Sequence, residues 1–284
     1  ILYILKLIDT KVHTREQLEK LIPKLDILGE VPFVEDIDSF IDSRGIFAES
    51  SRLIRSNISF KLKKNDCNVL LCTSSIKGEG KTLTAFNVAG SYLATGKKVL
   101  LIGADLRNPQ IHNIIGIDRK TNIKGLSSII TDELVNDIPE DYFHYYNLFG
   151  NKLRLLLSGP IPPNPAELLS SHIFADFINN QKKNYDYIII DSAPLLLVSD
   201  SLPILKLADL VLYTTRAHYT ERKVFSYINN LVNDNKINNI GIVFNGIKDG
   251  SQSSTKYGYS YRYSYQYKYN YGYGYGYGEE KSKK

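Results

Sequence analysis

The stretch Val69-Leu70-Leu71-Cys72-Thr73-Ser74-Ser75-Ile76-Lys77-Gly78-Glu79-Gly80-Lys81-Thr82 joins an apolar run to a glycine-rich turn, and the helix-compatible Leu83 to Leu93 comes next. Strand, turn and helix in that order make this a P-loop, with Ser75 in the place of the usual first glycine. Glycines let backbone N–H groups curl around phosphate oxygens, and the helix N-terminus adds its positive end. Lys81 is then expected to reach the β and γ phosphates and Thr82 to offer a hydroxyl to Mg2+. The cofactors implied are ATP and Mg2+.

Outward from this motif the chain alternates short apolar runs with helical stretches. Val69 to Cys72, Val99 to Ile102, Leu153 to Leu157, Tyr187 to Ile190, Leu210 to Tyr213 and Ile240 to Phe244 read as strands. Strands spaced this way describe βαβ units and a mostly parallel sheet covered on both faces. The expected fold class is therefore α/β, a P-loop NTPase-like three-layer sandwich. Ligands of such sheets sit at the carboxyl ends of the strands, so the residues after each run are where chemistry is expected.

Two carboxylates meet that criterion. Asp105, in Gly103-Ala104-Asp105-Leu106-Arg107, comes after the second strand and is placed to hold or orient Mg2+, though a turn or helix-cap aspartate has the same pattern. Asp191 ends Tyr187-Ile188-Ile189-Ile190-Asp191, which has Walker B form, and it is expected to ligate the metal or complete its second shell. Asn245 ends the last strand, where its amide could read an adenine edge or simply form the Asn-Gly turn. Gly159-Pro160-Ile161-Pro162-Pro163-Asn164-Pro165 is a stiff connection. His13, His112, His144, His172 and His218 show no ligand-like spacing.

With 284 residues, 43% hydrophobic and 23% charged, the chain supports a full core. Of its formal charge of +5, the tail from 257 to 284 supplies +3, from five Lys or Arg against two Glu. The body is thus nearly neutral, and no nucleic-acid partner is expected. Two cysteines, Cys67 and Cys72, exclude a disulfide framework and a four-ligand zinc site and suit a reducing compartment. No methionine occurs, not even at position 1, and the sequence is therefore expected to be a fragment of a longer protein.

The organisation read from the sequence has four parts. Residues 1–12 open with Ile1 to Ile8, apolar apart from Lys6; the end of a truncated transmembrane helix and an ordinary buried helix start both fit. Residues 13–45 read as a connector, with Thr14 and Gln17 as a capping box for a short helix Arg15 to Leu21, and with Pro23, Gly29 and Pro32 interrupting the remainder. Residues 46–250 form the P-loop domain. It opens with a helix whose apolar side holds Phe47, Ile54 and Ile58; Glu49, Arg52 and Arg55 recur every third residue along a polar stripe that reads as a solvated face. Residues 251–284 are expected to be a disordered, tyrosine-rich tail. In it Tyr257, Tyr259, Tyr261, Tyr263, Tyr265, Tyr267, Tyr269, Tyr271, Tyr273, Tyr275 and Tyr277 occupy every second position.

Taken together, these motifs resemble the bacterial protein-tyrosine kinase (BY-kinase) family, the cytoplasmic kinase domains of polysaccharide co-polymerases of the Wzc type. The resemblance covers roughly residues 46 to 277. It rests on Gly78-Glu79-Gly80-Lys81-Thr82, Asp105-Leu106-Arg107, Gly125-Leu126-Ser127, Pro162-Pro163-Asn164-Pro165-Ala166-Glu167-Leu168-Leu169, Asp191 with Ala193-Pro194 and Asp200, and the tyrosine cluster.

The resemblance implies a protein-tyrosine autokinase. Lys81, Asp105, Arg107 and Asp191 would be catalytic, Thr82, Asp105 and Asp191 would hold the metal, and Ser75, Lys77, Gly78, Glu79, Gly80, Lys81, Thr82, Leu83 and Asn245 would bind the nucleotide. The eleven tail tyrosines would be phosphoacceptors, and Glu49, Arg52 and Arg55 would be a subunit contact in a ring, an octamer by resemblance. The further partners implied are the polysaccharide polymerase and export machinery and a protein-tyrosine phosphatase. The implied location is the cytoplasmic face of the inner membrane, with a transmembrane anchor mostly missing from this sequence.

One departure stands out: the family's second Walker motif usually carries two aspartates, and Gly103 holds the first position. A base that accepts the tyrosine proton would then be lacking. Non-catalytic assembly and a plain ATPase switch are the competing readings. Partitioning ATPases on the same scaffold carry a signature lysine where this chain has Ile76, which sets them apart.

Overall fold

Along strand β2 (Asn68–Ser74), Val69 and Leu71 pack into one apolar cluster while Leu70 and Cys72 pack into another, and all four are shielded from solvent. This period-two division is what a strand covered on both faces requires. It recurs in β3 (Val99–Gly103), where Leu100 and Ile102 join the first cluster and Val99 and Leu101 the second. These details come from a computed structural model that describes residues 9–33, 46–63, 67–118, 123–148, 150–196 and 202–248.

The other strands are β1 (Asp26–Pro32), β4 (Phe143–Leu148), β5 (Asn151–Leu156), β6 (Tyr187–Asp191), β7 (Leu210–Arg216) and β8 (Ile240–Ile247). They form one sheet in the order β1-β8-β7-β2-β6-β3-β5-β4, parallel throughout except for β4, which runs antiparallel to β5. The helices are α1 (Arg15–Leu21), α2 (Ile46–Lys61), α3 (Lys81–Leu93), α4 (Ile111–Ile114), α5 (Leu126–Thr131), α6 (Pro165–Ser170), α7 (His172–Gln181), α8 (Leu202–Leu205) and α9 (Phe225–Asn233). Apolar side chains of α2, α3 and α4 cover one face, and those of α1 and α5 to α9 cover the other. The three-layer α/β sandwich expected from the sequence is the observed fold, and each of the six expected strands is present.

The reading of residues 13–45 as a connector is corrected. Asp26–Pro32 is an edge strand whose register runs from Asp26 opposite Gly241 to Pro32 opposite Ile247. Leu18 of α1 and Ile22 just after it are fully buried. The glycine and proline that suggested a broken linker have structural uses. A Cβ on Gly29 would lie 2.5 Å from Ile54 Cγ1, so α2 crosses the strand where only glycine leaves room. Pro32 closes an edge strand, where a missing N–H costs little. The capping at Thr14 is as expected: its hydroxyl accepts from Gln17 N, and Gln17 Oε1 accepts from His13 N.

No helix among the described residues is long and apolar enough to cross a membrane. Ile1 to Ile8, Asp200 and the tyrosine tail lie outside the described residues. Both cysteines are buried free thiols.

Candidate nucleotide and phosphoryl-transfer site

The P-loop sits where β2 ends and α3 begins. Gly80 is the residue before the helix and has φ of 100° with ψ of 22°, a left-handed conformation that strains any side chain. A Cβ there would also stand 2.1 Å from the Asn245 amide nitrogen. Ser75 departs from the glycine pattern without strain, because its φ is not positive and its hydroxyl pairs with the Tyr213 hydroxyl at 2.7 Å.

Four sequence-predicted residues converge. Lys81 Nζ lies 3.0 Å from Asp105 Oδ2 and 3.9 Å from Asp191 Oδ1. The Thr82 hydroxyl donates to Asp191 Oδ2 at 2.8 Å. The carboxylates are brought together by the sheet, since Gly103 on β3 stands opposite Asp191 on β6 and Ala104 N donates to the Asp191 carbonyl at 2.8 Å. Asp105 Oδ1 also accepts from Asn108 N at 3.0 Å, which fixes its turn.

Burial governs the electrostatics here. It pushes the Asp191 carboxyl up to about 6, against the pull of Lys81 and the Thr82 hydrogen bond. Burial likewise works against the Lys81 ammonium, but Asp191 and Asp105 outweigh it and hold its pKa above the ordinary lysine value. Asp191 Oδ1 is buried with no hydrogen-bond partner, a costly state for a carboxylate oxygen unless a cation completes it.

The donor set, a hydroxyl and two carboxylates, suits Mg2+, a hard cation that keeps waters and phosphate oxygens in its shell. Among the described residues no cluster of three or more His, Cys, Asp or Glu could cage a metal.

A brace of residues, of which sequence reading named Glu79 but missed Arg216, Tyr219 and Thr220, holds the loop from behind. Arg216 Nη1 donates to the Gly78 carbonyl and the Tyr219 hydroxyl donates to the Lys77 carbonyl, both at 2.9 Å. Glu79 is fully buried; it accepts from Ile76 N at 2.8 Å and from the Thr220 hydroxyl. Burial pushes the Glu79 carboxyl up to about 7, against those hydrogen bonds. The signal for this brace was its place directly after a strand, Leu210 to Tyr213.

Residues 10–13 are tied to the same loop. Val12 N donates to the Thr220 carbonyl, His218 N to the Val12 carbonyl, and Arg222 N to the Thr10 carbonyl. His13 and His218, read as incidental, meet here with Nδ1 atoms 2.5 Å apart.

The remaining expectations find these places. Asn245 donates through Nδ2 to the Glu79 carbonyl at 2.8 Å, which makes it a prop of the P-loop backbone. Lys77 and Arg107 are exposed, and Leu83 is half-buried one residue after Thr82. Glu49 and Arg52 are exposed and paired with each other at 2.5 Å. Arg55 turns inward and donates to the Ser91 carbonyl of its own chain.

Beside the carboxylates opens a cavity of about 320 Å3. Gly103, Asp105 and Asp191 form one side; residues Pro109–His112 and the stiff connection Ser158–Ile161 form the other. A Cβ on Gly103 would approach Ile111 Cδ1 to 3.2 Å, a close contact on the wall of this cavity.

Comparison with known proteins agrees with this geometry. The AAA domain family model matches residues 67–240. The tyrosine-protein kinase YwqD of Bacillus subtilis (strain 168) is 33% identical over 222 residues, which span 78% of this chain and 90% of the relative. Among solved structures, the chimerical protein CapA2B2 superposes with a TM-score of 0.72 at 29% identity, covering 83% of this chain and 100% of that one. The kinase domain of Escherichia coli tyrosine kinase ETK superposes with a TM-score of 0.73 at 25% identity, covering 87% and 100%. The chain belongs to the bacterial protein-tyrosine kinase family, enzymes that transfer phosphate to protein tyrosines.

Proposed function

We propose that this chain is an ATP-dependent autokinase that phosphorylates its own C-terminal tyrosines. The observation that carries the reading is the convergence of Lys81, Thr82, Asp105 and Asp191 beside a cavity with room for a phenol. The P-loop backbone and Lys81 hold the triphosphate of ATP and neutralise its γ-phosphoryl group. Thr82, Asp105 and Asp191 would hold Mg2+, which supplies further charge neutralisation on the phosphates. A tail tyrosine enters the cavity, its oxygen bonds to the γ-phosphorus, the bond to the β-phosphate oxygen breaks, and ADP leaves. The phenolic proton passes to Asp105, the carboxylate on the cavity wall. Arg107, two residues after Asp105, adds positive charge. Because the transition state is loose, positioning outweighs proton removal, and the site works with glycine at 103.

Tail tyrosines at every second position from 257 to 277 keep an acceptor within reach at high effective concentration. Each phosphate adds about −1.5 to −2 charge, so a few reverse the tail's positive charge. In this reading the tail enters a neighbouring copy in a ring built through the α2 stripe, and phosphorylation opens the ring. Cycling between the two states regulates synthesis and export of an extracellular polysaccharide at the cytoplasmic face of the membrane. The polymerase and export machinery and a tyrosine phosphatase are the partners it names.

The test is incubation of the chain with γ-labelled ATP. Label is expected on the intact chain, with a fall of at least a hundredfold in Lys81→Met and in a chain ending at 250. Equal label on the shortened chain would remove the tail as acceptor. Steady phosphate release with no protein label would point to an ATPase switch.

A further inference from the structure

A second cavity, of about 590 Å3, lies at the end of the sheet away from the P-loop. It is lined by Lys97, Lys98, Lys152 and Arg154, with Leu93, Val99 and Tyr185 giving it apolar walls. Lys98 and Val99 stand at the entry of β3, and Lys152 and Arg154 lie on β5; both strands run parallel toward the nucleotide end. The five residues of β3 put roughly 15 Å between the two sites.

The four cations outnumber their carboxylate partners. Lys97 lies 3.5 Å from Asp186, and Arg154 Nη2 lies 2.5 Å from Glu140. The ammonium groups of Lys98 and Lys152 have no carboxylate partner among the described residues, although the Lys98 backbone N–H donates to Asp186 Oδ2 at 2.7 Å, and Lys152 sits 4.5 Å from the centre of the Tyr145 ring. Arg154 Nε is buried with no hydrogen-bond partner, so its guanidinium keeps an unspent donor. Cations around an aliphatic and aromatic wall fit a dianion carried on an aryl ring.

We propose that this cavity is a docking site for phosphotyrosine of the chain's own C-terminal tail, on the same copy or a second one. The inference rests on the autokinase reading, because that reading supplies the ligand. Charge makes the site selective. The unmodified tail carries +3 and is repelled, whereas each phosphate contributes two or nearly two negative charges and charge-assisted hydrogen bonds. Reach is sufficient: Tyr277 is 29 residues beyond Lys248, a contour of up to about 100 Å. Phosphorylated tails would then be held at the opposite edge of the sheet, clear of the catalytic cavity.

The experiment is fluorescence anisotropy with labelled peptides spanning residues 257–267, unmodified or phosphorylated on Tyr263. The receptor is the full chain, stripped of phosphate by a tyrosine phosphatase, without nucleotide. The phosphopeptide is expected to bind at least tenfold more tightly than the unmodified peptide, and to weaken as salt is raised. The pair Lys98→Glu with Lys152→Glu is expected to weaken it at least tenfold, while Lys20→Glu with Lys223→Glu, an equal change in charge elsewhere, changes it less than twofold.

Equal binding of the two peptides, or equal losses in the two double variants, overturns the proposal. So does competition by inorganic phosphate as effective as that by the phosphopeptide, which would make this a general anion site. Vesicles containing phosphatidylserine that bind through Lys98 and Lys152 while the phosphopeptide does not would reassign the face to a membrane. Since the peptide is synthetic and ATP is absent, failure here leaves the labelling experiment untouched. Intact phosphopeptide binding with no tail labelling would instead remove the autokinase reading.

Discussion

Glu79 shows how a single buried acid couples the P-loop to the loop after β7. Its carboxyl is pushed from the ordinary 4.5 up to about 7 by burial, so the unfolded chain ionises first as pH rises. Below about 4.5 both states are protonated and the group costs nothing. Between 4.5 and 7 the folded state loses stability, and the loss levels above 7 at about 3 kcal/mol, from 1.36 kcal/mol per unit. Glu79→Gln removes this titration. Thermal unfolding should show the variant gaining on the parent from pH 5 to pH 8, by on the order of 2–3 kcal/mol; a difference that stays constant with pH would refute the assignment. Gly103 belongs to the same scale. Gly103→Asp restores a carboxylate to the cavity wall, and the flexible end of Ile111 can move a few tenths of an ångström to admit it. Since the loose transition state gains little from a stronger base, autophosphorylation should change by less than about tenfold, read as the initial rate of labelling. An increase of a hundredfold or more would show that proton removal limits this enzyme.

Among the elements, β1 shows where pattern reading stops. Asp26-Ile27-Leu28-Gly29-Glu30-Val31-Pro32 carries two breakers in seven residues, and β propensity alone reads it as a linker. Its strand state comes from partners far along the chain: β8 supplies the hydrogen-bonding edge, and Ile54 of α2 fills the space over Gly29. Removing it would uncover the β8 edge and the underside of α2, where Ile54 and Ile58 are fully buried. A chain starting at residue 46 is therefore expected to be insoluble or to melt at least 10 °C below one starting at residue 9, by circular dichroism. Equal melting temperatures would restore the connector reading. The antiparallel β4, Phe143-His144-Tyr145-Tyr146-Asn147-Leu148, escaped notice for a related reason: only its ends, Phe143 and Leu148, are buried, so no apolar run marks it.

Across the whole molecule, the parallel sheet has two chemically distinct ends. The carboxyl ends of β2, β3 and β6 gather Lys81, Asp105 and Asp191, and the entry ends of β3 and β5 gather Lys97, Lys98, Lys152 and Arg154. Residues 10–13, tied to the loop that props the P-loop, place the chain's N-terminal part in mechanical contact with the nucleotide site. By itself the sequence determined the layered α/β class, the six inner strands and the identity of Lys81, Thr82, Asp105 and Asp191. Such features are local: a period-two run, a glycine turn, an acid at a strand's end. Only the tertiary structure decided that Asn245, Thr220, Arg216 and Tyr219 converge on one loop, that β1 belongs to the sheet, and that scattered lysines share a cavity. Contacts between residues more than a hundred positions apart are set by strand order and packing, which no short window of sequence contains.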